Sequence, residues 1–318
     1  MSQKKQTMSY QPPYTITPKI THLVAQISEA IGGYYAQENL RLHRVNRIQT
    51  IRGTLAIEGN TLTTEQVTAV LEGKPVVAPI NEVQEVRNAL KAYELLDVLD
   101  PHKVDDLLKA HATMEAGLID DAGRFRRGGA GVAAGNQIIH YAPDAERVPY
   151  LVDDLFEWLR TTEEHPLIAS CVFHYEFEFI HPFADGNGRT GRLWQTLILS
   201  RWRPIFKNLP IENIVYKYQQ DYYKAIAVSG GKEGCTPFIE FILGVVAETL
   251  TAQEAAPKTT RERIVDEIRK NPKISRRALA EVVGITPDGV KYHLQKLTKA
   301  GVIRHVGATR SGKWVICK

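Results

Sequence analysis

Apolar residues recur every three or four positions along most of the chain, which is the spacing of helices that bury at least one face. This pattern predicts a mainly α-helical protein. The predicted helices cover residues 39–58, 63–72, 81–99, 104–117, 145–160, 166–180, 189–203, 215–228 and 236–250. Only residues 137–142 and the C-terminal end alternate as strands do. Residues 1–18 are expected to form an irregular arm, packed on the surface or disordered.

The C-terminal end has a pattern of its own. Residues 252–258 read Ala-Gln-Glu-Ala-Ala-Pro-Lys, which is typical of a linker. The elements predicted after it are helices at 259–271, 275–283 and 287–300 and strands at 302–304 and 314–316. Thr286 is the expected N-cap of the third helix, with Pro287 at its first position. This order resembles a winged helix-turn-helix, whose third helix commonly enters the major groove of DNA.

A polar loop joins the helices predicted at 166–180 and 189–203. Residues 181–192 read His-Pro-Phe-Ala-Asp-Gly-Asn-Gly-Arg-Thr-Gly-Arg. His181 is the only side chain in the loop that accepts a proton near neutral pH, so it is the candidate base for a Tyr, Thr or Ser hydroxyl. Asp185 is a candidate ligand for Mg²⁺, which proteins commonly hold through one or two carboxylates together with substrate phosphates.

The second half of the loop favours anions. Gly186 and Gly188 permit backbone angles that point successive amide N–H groups at one spot. The next helix begins there, with Arg189 and Thr190 expected to face the spot, and its N-terminal dipole favours phosphate. The residues expected to hold a nucleotide triphosphate are Asp185, Gly186, Asn187, Gly188, Arg189, Thr190 and Arg192.

The loop resembles the signature of the Fic family, His-x-Phe-x-Asp/Glu-Gly-Asn-Gly-Arg-x-x-Arg, at every fixed position. Residues 123–126, Gly-Arg-Phe-Arg, and the Gly- and Ala-rich hairpin after them resemble the Fic flap. Residues 54–60, Thr-Leu-Ala-Ile-Glu-Gly-Asn, resemble the inhibitory motif of the family. The resemblance covers about residues 40–245. It implies a protein adenylyltransferase, which moves AMP from ATP onto a protein hydroxyl with Mg²⁺ as cofactor.

The expected fold class is mainly α: a Fic-type helical domain with a short β-hairpin flap, plus a C-terminal winged helix-turn-helix domain. Residues 1–110 are expected to form an N-terminal helical region that contains the inhibitory motif. Residues 111–250 are then the Fic catalytic core, residues 251–258 the linker and residues 259–318 the winged helix-turn-helix domain.

Gly188 favours AMP transfer over phosphate transfer. The related Doc-type kinases carry Lys at this position and hold the nucleotide in the inverted sense. The resemblance therefore implies that Gly188 leaves room for the β-phosphate. Transfer of UMP or phosphocholine occurs on the same fold and stays open.

Glu58 lies four residues after Thr54, so both are expected on one face of the helix at 39–58. The resemblance implies that Glu58 regulates the enzyme by reaching the second arginine of the signature, Arg192. A bidentate Arg–carboxylate pair is a strong contact. Even a pair worth roughly 2–3 kcal/mol would suppress turnover strongly by leaving ATP in an unproductive pose. The alternative is a plain carboxylate at a helix end, before a Gly-Asn stop signal.

The flap is the expected binding place for the target protein. Residues 137–143, Gln-Ile-Ile-His-Tyr-Ala-Pro, follow a glycine-rich run and predict an extended edge. Exposed edges bind extended segments by strand addition. A target protein is therefore expected along Gly128 to Pro143. The alternative is a mobile hairpin without a partner.

No further metal, disulfide or membrane segment is expected. The spacing of His174, Glu176 and Glu178 does not fit zinc, so His174 is expected to be structural. The three cysteines are widely separated, as in a reducing cytoplasm. No apolar run approaches the ~20 residues that span a bilayer, and the first residues lack a signal-peptide core. A cytoplasmic location is expected, with a second copy of the chain, as a homodimer, among the candidate partners.

Charge is distributed unevenly along the chain. From residue 257 onward there are 15 Lys and Arg and 5 Asp and Glu, so the net charge of +10 there leaves −6 for residues 1–256 of a chain whose total is +4. The concentration of positive charge favours duplex DNA as a partner. The candidate DNA contacts are Lys291, His293, Gln295, Lys296 and Lys299 on the third helix and Arg310 and Lys313 on the wing. Winged helices also mediate protein contacts, which is the alternative.

Two hypotheses follow from these observations. In the first, the chain is a self-inhibited AMP transferase, and its C-terminal domain docks the enzyme on DNA or on a partner. In the second, it is a transcription regulator that uses the Fic fold as a nucleotide sensor. The intact His181 favours the first hypothesis, because a sensor needs no base.

Overall fold

The computed structural model describes residues 10–33, 40–134, 137–231, 233–255, 260–307 and 312–317. The described residues of 1–31 and 44–251 form a larger compact unit, and those of 32–43 and 252–318 form a smaller one. Fourteen α-helices and two antiparallel hairpins make up the regular structure of the described residues, which confirms the predicted fold class. Within these ranges, no helix is both long enough and apolar enough to cross a membrane.

Eleven helices lie before residue 256 in the described part of the chain, and the long connection between the fifth and the sixth, residues 115–147, contains the flap. These helices are α1 (Pro18–Gly33), α2 (Leu40–Ile57), α3 (Thr64–Leu71), α4 (Ile80–Glu94), α5 (Val104–Met114), α6 (Val148–Thr161), α7 (Pro166–Ile180), α8 (Asn187–Trp202), α9 (Ile211–Lys217), α10 (Gln219–Val228) and α11 (Thr236–Ala255). Short 3₁₀ helices occur at Leu95–Asp97, Ala145–Arg147 and Pro204–Asn208.

Helix α1 is absent from the prediction, although its sequence has the helical spacing. Ile20, Ile27 and Ile31 recur on one face and are buried. The hydroxyl of Thr17 accepts a hydrogen bond from the amide of Ile20, which caps the first turn. The predicted arm packs on the larger unit from residue 10 onward, where the amide of Cys235 donates to the carbonyl of Pro13 at 2.9 Å.

Several further boundaries differ from the prediction. Helix α4 ends at Glu94 instead of at residue 99, α5 ends at Met114 instead of at residue 117, and α8 begins at Asn187 instead of at residue 189. The helix predicted at 215–228 is two helices, α9 and α10, because Tyr218 between them leaves helical geometry at φ −111° and ψ 35°. Helix α11 continues to Ala255, so the first residues of the predicted linker at 251–258 are helical. The rest of that linker lies outside the described residues.

Helices α7 and α8 pack together in the middle of the larger unit and present the polar loop between them. Nearly every residue of both helices is buried, so apolar side chains occur on all faces of α7. Phe173, Phe177 and Trp194 are fully buried in the core around this pair. The loop therefore starts and ends on two rigid elements, which fixes the positions of its side chains.

The predicted flap is a two-stranded hairpin. Strands β1 (Gly131–Ala134) and β2 (Gln137–Tyr141) pair antiparallel, with a register irregularity between Val132 and Ala133. Gly135, one of the glycines of the run before residues 137–143, lies outside the described residues. The amide of Ala142 donates to the carbonyl of Ala130, which closes the base of the hairpin.

The smaller unit contains the winged helix-turn-helix. Its elements are α12 (Thr260–Lys270), α13 (Arg276–Val283), α14 (Pro287–Lys299), β3 (Ile303–Val306) and β4 (Lys313–Ile316). The hydroxyl of Thr286 accepts from the amide of Gly289, which confirms the predicted N-cap of α14. Strands β3 and β4 pair antiparallel as the wing. The unit has an apolar core of its own, which includes Ile264, Leu279 and Leu294.

Candidate active site

His181 ends helix α7 in a left-handed backbone conformation, with φ 50° and ψ 62°. It is the one non-glycine residue with positive φ in the described part of the chain. Such angles are unfavourable for a residue with a Cβ atom and persist where the surroundings enforce them. Its side chain is 17% exposed. The turn therefore directs the imidazole out of the helix, next to the glycine-rich loop.

Arg126 enforces this turn. Its Nε donates to the carbonyl of His181 at 2.7 Å, and its Nη2 donates to the carbonyl of Ile180 at 3.3 Å. A buried guanidinium satisfies the free carbonyls at the end of α7 and matches the negative end of the helix dipole. Arg126 also donates to the carbonyls of Gly128 and Pro143. One side chain thus fixes both ends of the flap to the loop that holds His181.

Asn187 and His111 hold the loop from inside. Both polar atoms of the Asn187 side chain bond the main chain of Phe183 at 2.9 Å, so this side chain shapes the loop, while the predicted anion contact of Asn187 is through its backbone amide. The ring of His111 stacks on Phe183 with centroids 3.6 Å apart. Its Nδ1 accepts from the amide of Gly123, which leaves Nε2 to donate to the carbonyl of Asp185. Burial lowers the pKa of His111 to about 4, so the ring stays neutral.

The predicted contact between Glu58 and Arg192 is present. One Glu58 oxygen accepts from Nη2 of Arg192 at 2.6 Å. The guanidinium also donates to the hydroxyl and the carbonyl of Thr54, both at 3.0 Å. The carboxylate contact is therefore not bidentate as expected, since Thr54 takes the remaining bonds. Burial lowers the pKa of Arg192, but Glu58, Tyr222 and Glu178 together outweigh burial, so the pKa of the guanidinium is raised.

Glu58 sits at the end of α2 in a defined cap. The amide of Asn60 donates to the carbonyl of Leu55, and that of Gly59, at φ 94°, donates to the carbonyl of Ala56. These bonds form a Schellman motif with Gly59 in the left-handed position. The predicted Gly-Asn stop signal is therefore real, and it coexists with the contact to Arg192.

Two side chains of α10 hold the last carbonyl before Glu58. Nε2 of Gln219 donates to the carbonyl of Ile57 at 2.6 Å, and the hydroxyl of Tyr223 donates to the same oxygen at 3.1 Å. A free carbonyl at a helix end is commonly satisfied in this way. Together the two donors fix the direction in which Glu58 leaves the helix.

Glu58 also lies directly over the glycine turn. A Cβ atom at Gly188 would overlap the Glu58 oxygen that binds Arg192. The carboxylate thus covers the backbone amides at the start of α8, which carry no intrahelical partner and attract anions. A phosphate that uses this turn must compete with Glu58.

Arg189 is surrounded by three carboxylates. Its Nη2 lies 3.1 Å from Glu115 and 3.4 Å from Asp185, and its Nη1 lies 3.5 Å from Glu85. Glu115 is fully buried, and burial raises the pKa of its carboxyl group to about 7. Sequence reasoning missed Glu85 and Glu115, because they come from α4 and from the end of α5.

Asp185 has the properties of a metal ligand. Its side chain is 65% exposed beside the glycine turn. One of its oxygens accepts the amide of Gly186 at 2.6 Å, which orients the carboxylate. An exposed carboxylate next to a phosphate site fits Mg²⁺, which takes oxygen ligands and keeps several waters. Within the described residues, no group of three or more His, Cys, Asp or Glu side chains forms a metal cage.

Thr190 does not have the predicted place. Its side chain is fully buried, and its amide donates to the carbonyl of Gly186 as part of α8. The side chain of Thr190 therefore points into the core between α7 and α8, away from the glycine turn. His174 is likewise buried, with Nδ1 bonded to Gln195 and Nε2 to Tyr222, which agrees with the structural role expected for it.

The candidate DNA surface lies on α14 and the wing. Lys291, Gln295, Lys296 and Lys299 are exposed, and so is Lys313. The prediction that His293 is exposed was wrong: the residue is half-buried, and burial lowers its pKa. His293 is therefore not part of the exposed face. Arg310 lies outside the described residues. Tyr292 was missed: it is exposed, and the Lys296 ammonium lies 5.4 Å from the centre of its ring.

Known proteins share this fold. The Fic/DOC family model matches residues 101–199, and a winged helix-turn-helix DNA-binding model matches residues 258–304. The crystal structure of a Fic family protein from Desulfovibrio desulfuricans G20 is 44% identical, with a TM-score of 0.75, and the match covers 96% of this chain and 98% of that one. The chain belongs to the Fic family.

Relatives with a named activity are more distant. A protein adenylyltransferase Fic from Nematostella vectensis is 29% identical over 219 residues, which is 65% of this chain and 49% of that protein. The protein of the same name from Culex quinquefasciatus is 30% identical over 215 residues, 64% of this chain and 41% of that protein. The chain spans half the length or less of these curated relatives. Fic-1 from C. elegans, at 23% identity and a TM-score of 0.61, shares the fold.

Proposed function

We propose that the chain transfers AMP from ATP to a Tyr, Thr or Ser hydroxyl of a protein and that Glu58 inhibits it. The observation that supports this most directly is the arrangement of the loop between α7 and α8. The base candidate His181 and the carboxylate of Asp185 lie on this loop, and the anion-binding turn at Gly186 to Gly188 joins the loop to α8. The homologues named protein adenylyltransferase Fic support the same reaction.

In the proposed reaction, the substrate hydroxyl loses its proton to the imidazole of His181 as its oxygen attacks the α-phosphorus. A bond forms from this oxygen to phosphorus, and the bond to the pyrophosphate breaks. The start of α8 and the two arginines stabilise the charge on the phosphates, which is the main contribution a protein makes to such a transfer. Mg²⁺ bound by Asp185 would supply further positive charge to the phosphates.

Inhibition follows from competition for Arg192 and for the turn. The guanidinium of Arg192 is only 2% exposed and already bonds Glu58 and Thr54. A γ-phosphate that needs this guanidinium must displace Glu58. A hydrogen bond to a charged group contributes about 1.5–3 kcal/mol, so its displacement weakens productive ATP binding by about ten- to a hundredfold.

The nature of the transferred group is tested by offering several nucleotides. Purified Glu58→Gly protein is incubated separately with ATP, UTP and CDP-choline, and its intact mass is followed. Gain of AMP from ATP, with little or no change from the other two, supports the proposal. Gain of UMP, of phosphocholine or of a bare phosphate would replace AMP transfer by the corresponding reaction.

A target segment is proposed to add to an edge of the flap. Arg126 fixes both ends of this hairpin to the loop of His181, so a strand paired there has a defined position relative to the base. Backbone hydrogen bonds then provide affinity without strict sequence selection. Proline placed at alternate positions of β2 should lower modification of a target without lowering ATP binding. Equal modification would exclude strand addition.

A second function is proposed for the smaller unit, which we infer binds duplex DNA. Its match to winged helix-turn-helix DNA-binding domains and the exposed lysines of α14 support this. Such a unit would bring the transferase to a DNA site or to proteins bound there. Selection of sequences from a random duplex pool tests it: enrichment of one sequence supports a DNA reader, and absence of enrichment favours a protein-docking role.

A further inference from the structure

Glu178 is a buried carboxyl group that neither the loop signature nor the inhibitory contact uses. It lies on α7, three residues before His181, and its side chain is only 4% exposed. Gly191 brings α8 close to it, since a Cβ atom there would lie 2.9 Å from Oε1 of Glu178. A buried carboxyl group is costly to ionise unless an opposite charge or hydrogen-bond donors compensate it. Its neighbours therefore indicate what it does.

Two histidines flank the carboxyl group, and they differ in whether the nitrogen that faces it already has a hydrogen-bond partner among the contacts described above. Nε2 of His174 is 3.8 Å from Oε1, but this nitrogen already bonds the hydroxyl of Tyr222. Nδ1 of His181 is 3.9 Å from Oε2. At this separation the two groups interact through charge, because hydrogen bonds of this kind are about 1 Å shorter. The imidazole thus turns Nδ1 toward Glu178, and Nε2 lies on the opposite side of the ring.

We propose that Glu178 is a positioning residue for His181: its carboxylate keeps the proton of the neutral imidazole on Nδ1, leaves Nε2 to accept the substrate proton and stabilises the imidazolium that forms. This inference rests on the proposed transfer reaction. The substrate proton moves to Nε2 while the oxygen–phosphorus bond forms and pyrophosphate leaves. Glu178 acts only in its ionised form, and the substrate proton stays on the imidazole.

The charge of Glu178 depends on groups from four elements. His174 and His181 face it from its own helix and the loop, Arg192 from α8, Glu58 from the end of α2, and Tyr222 and Tyr223 from α10. Burial raises the pKa of its carboxyl group to about 8, with Arg192 lowering it and Glu58 raising it further. Loss of Glu58 therefore favours the ionised form, which is the form that helps the base.

The test compares two isosteric changes on the same helix, both in the Glu58→Gly chain. Glu178→Gln removes the charge near His181. Glu176→Gln is the matched control, because Glu176 is equally buried but bonds Tyr10 instead. The rate of AMP transfer is measured against pH, together with ATP affinity and thermal unfolding.

Glu178→Gln should move the pH midpoint of the rise in rate downward by about one unit, the usual effect of losing an opposite charge at this distance. The rate on the plateau should fall about tenfold, and ATP affinity should stay the same. Glu176→Gln should leave the midpoint unchanged. Equal midpoints in the two variants, or a loss confined to ATP binding, would overturn the role of Glu178.

A second measurement needs neither activity nor a variant. ¹⁵N spectra of labelled histidine in the wild-type chain show which ring nitrogen of His181 carries the proton above its titration. A proton on Nδ1 supports the proposal, and a proton on Nε2 overturns it. If no variant transfers AMP, the proposed function fails, while the spectra still decide the role of Glu178.

Discussion

One oxygen of Glu58 accepts a hydrogen bond from Arg192 at 2.6 Å and lies where a side chain at Gly188 would have to be. A single carboxylate therefore occupies both the guanidinium and the space over the glycine turn. A triphosphate that used this cation and these backbone amides would have to displace the contact. Because Glu58 belongs to a capped helix end and is 35% exposed, its removal should free the site without unfolding the core.

His181→Ala should abolish AMP transfer and leave nucleotide binding nearly unchanged. Removal of a general base costs rate, typically about 10²- to 10⁴-fold, and affects affinity little. Transfer is measured by intact mass and binding by calorimetry with ATP and Mg²⁺. His102→Ala, a change at an exposed histidine, is the control. Incorporation of AMP by His181→Ala at the wild-type rate would exclude His181 as the base.

Gln219→Leu should activate the enzyme in part. Gln219 and Tyr223 both donate to the carbonyl of Ile57, so loss of one donor lets the end of α2 move and weakens the hold of Glu58. A hydrogen bond contributes about 1 kcal/mol, which predicts about a fivefold rise in self-modification. Gln220→Leu alters the next residue, which is exposed, and should have no effect. Equal rates for the two variants would show that α10 does not hold the inhibitory segment.

The sequence predicted the residues that act within one segment and missed those that meet across segments. The polar segment from His181 to Arg192, the cap at Gly59 and the N-cap Thr286 follow from local spacing. The two caps are confirmed, whereas the predicted loop is helical from Asn187 onward. Glu85 and Glu115 reach Arg189 from other helices, so no local spacing reveals them. Thr190 was placed wrongly because helix phase depends on where α8 begins, and it begins at Asn187 instead of Arg189.

The errors in the predicted secondary structure also lie where local sequence signals are weak or missing. Helix α1 has the apolar spacing of a helix but was not predicted, since the irregular arm was predicted only up to residue 18, where α1 begins. Tyr218 carries no glycine or proline signal, so the break between α9 and α10 is set by tertiary packing. Local propensity is a weak prior that such packing often overrides.

Gly186→Ala should destabilise the larger unit. Gly186 has φ 80°, and a Cβ atom there would overlap the buried carboxyl group of Glu115. Strain at such a position costs about 1–3 kcal/mol. Gly244→Ala is the matched control: Gly244 lies inside α11 with open space around it, so alanine should stabilise by up to about 1 kcal/mol. Urea unfolding measures both, and an unchanged midpoint for Gly186→Ala would contradict the close approach of Glu115.

The smaller unit should bind duplex DNA with an affinity that falls steeply as salt rises. Replacing Lys291 and Lys296 together should weaken binding, since both are exposed on α14. Replacing Arg310 and Lys313 should lower the salt slope if they contact phosphates. Removal of two exposed lysines from the larger unit is the control for net charge. If that control weakens binding as much as the change in α14, then α14 is not the helix that contacts the DNA bases.

The inhibitory contact is tested most directly by the mass of the purified protein after incubation with Mg²⁺ and ATP at one fixed concentration below saturation. The wild-type chain, Glu58→Gly and Glu58→Gly/His181→Ala are followed over the same time course. We predict that Glu58→Gly gains one or more AMP groups at least tenfold faster than the wild type, as expected from a contact worth more than about 1.4 kcal/mol, and that the double variant gains none. A rate for Glu58→Gly at or below that of the wild-type chain would contradict the account.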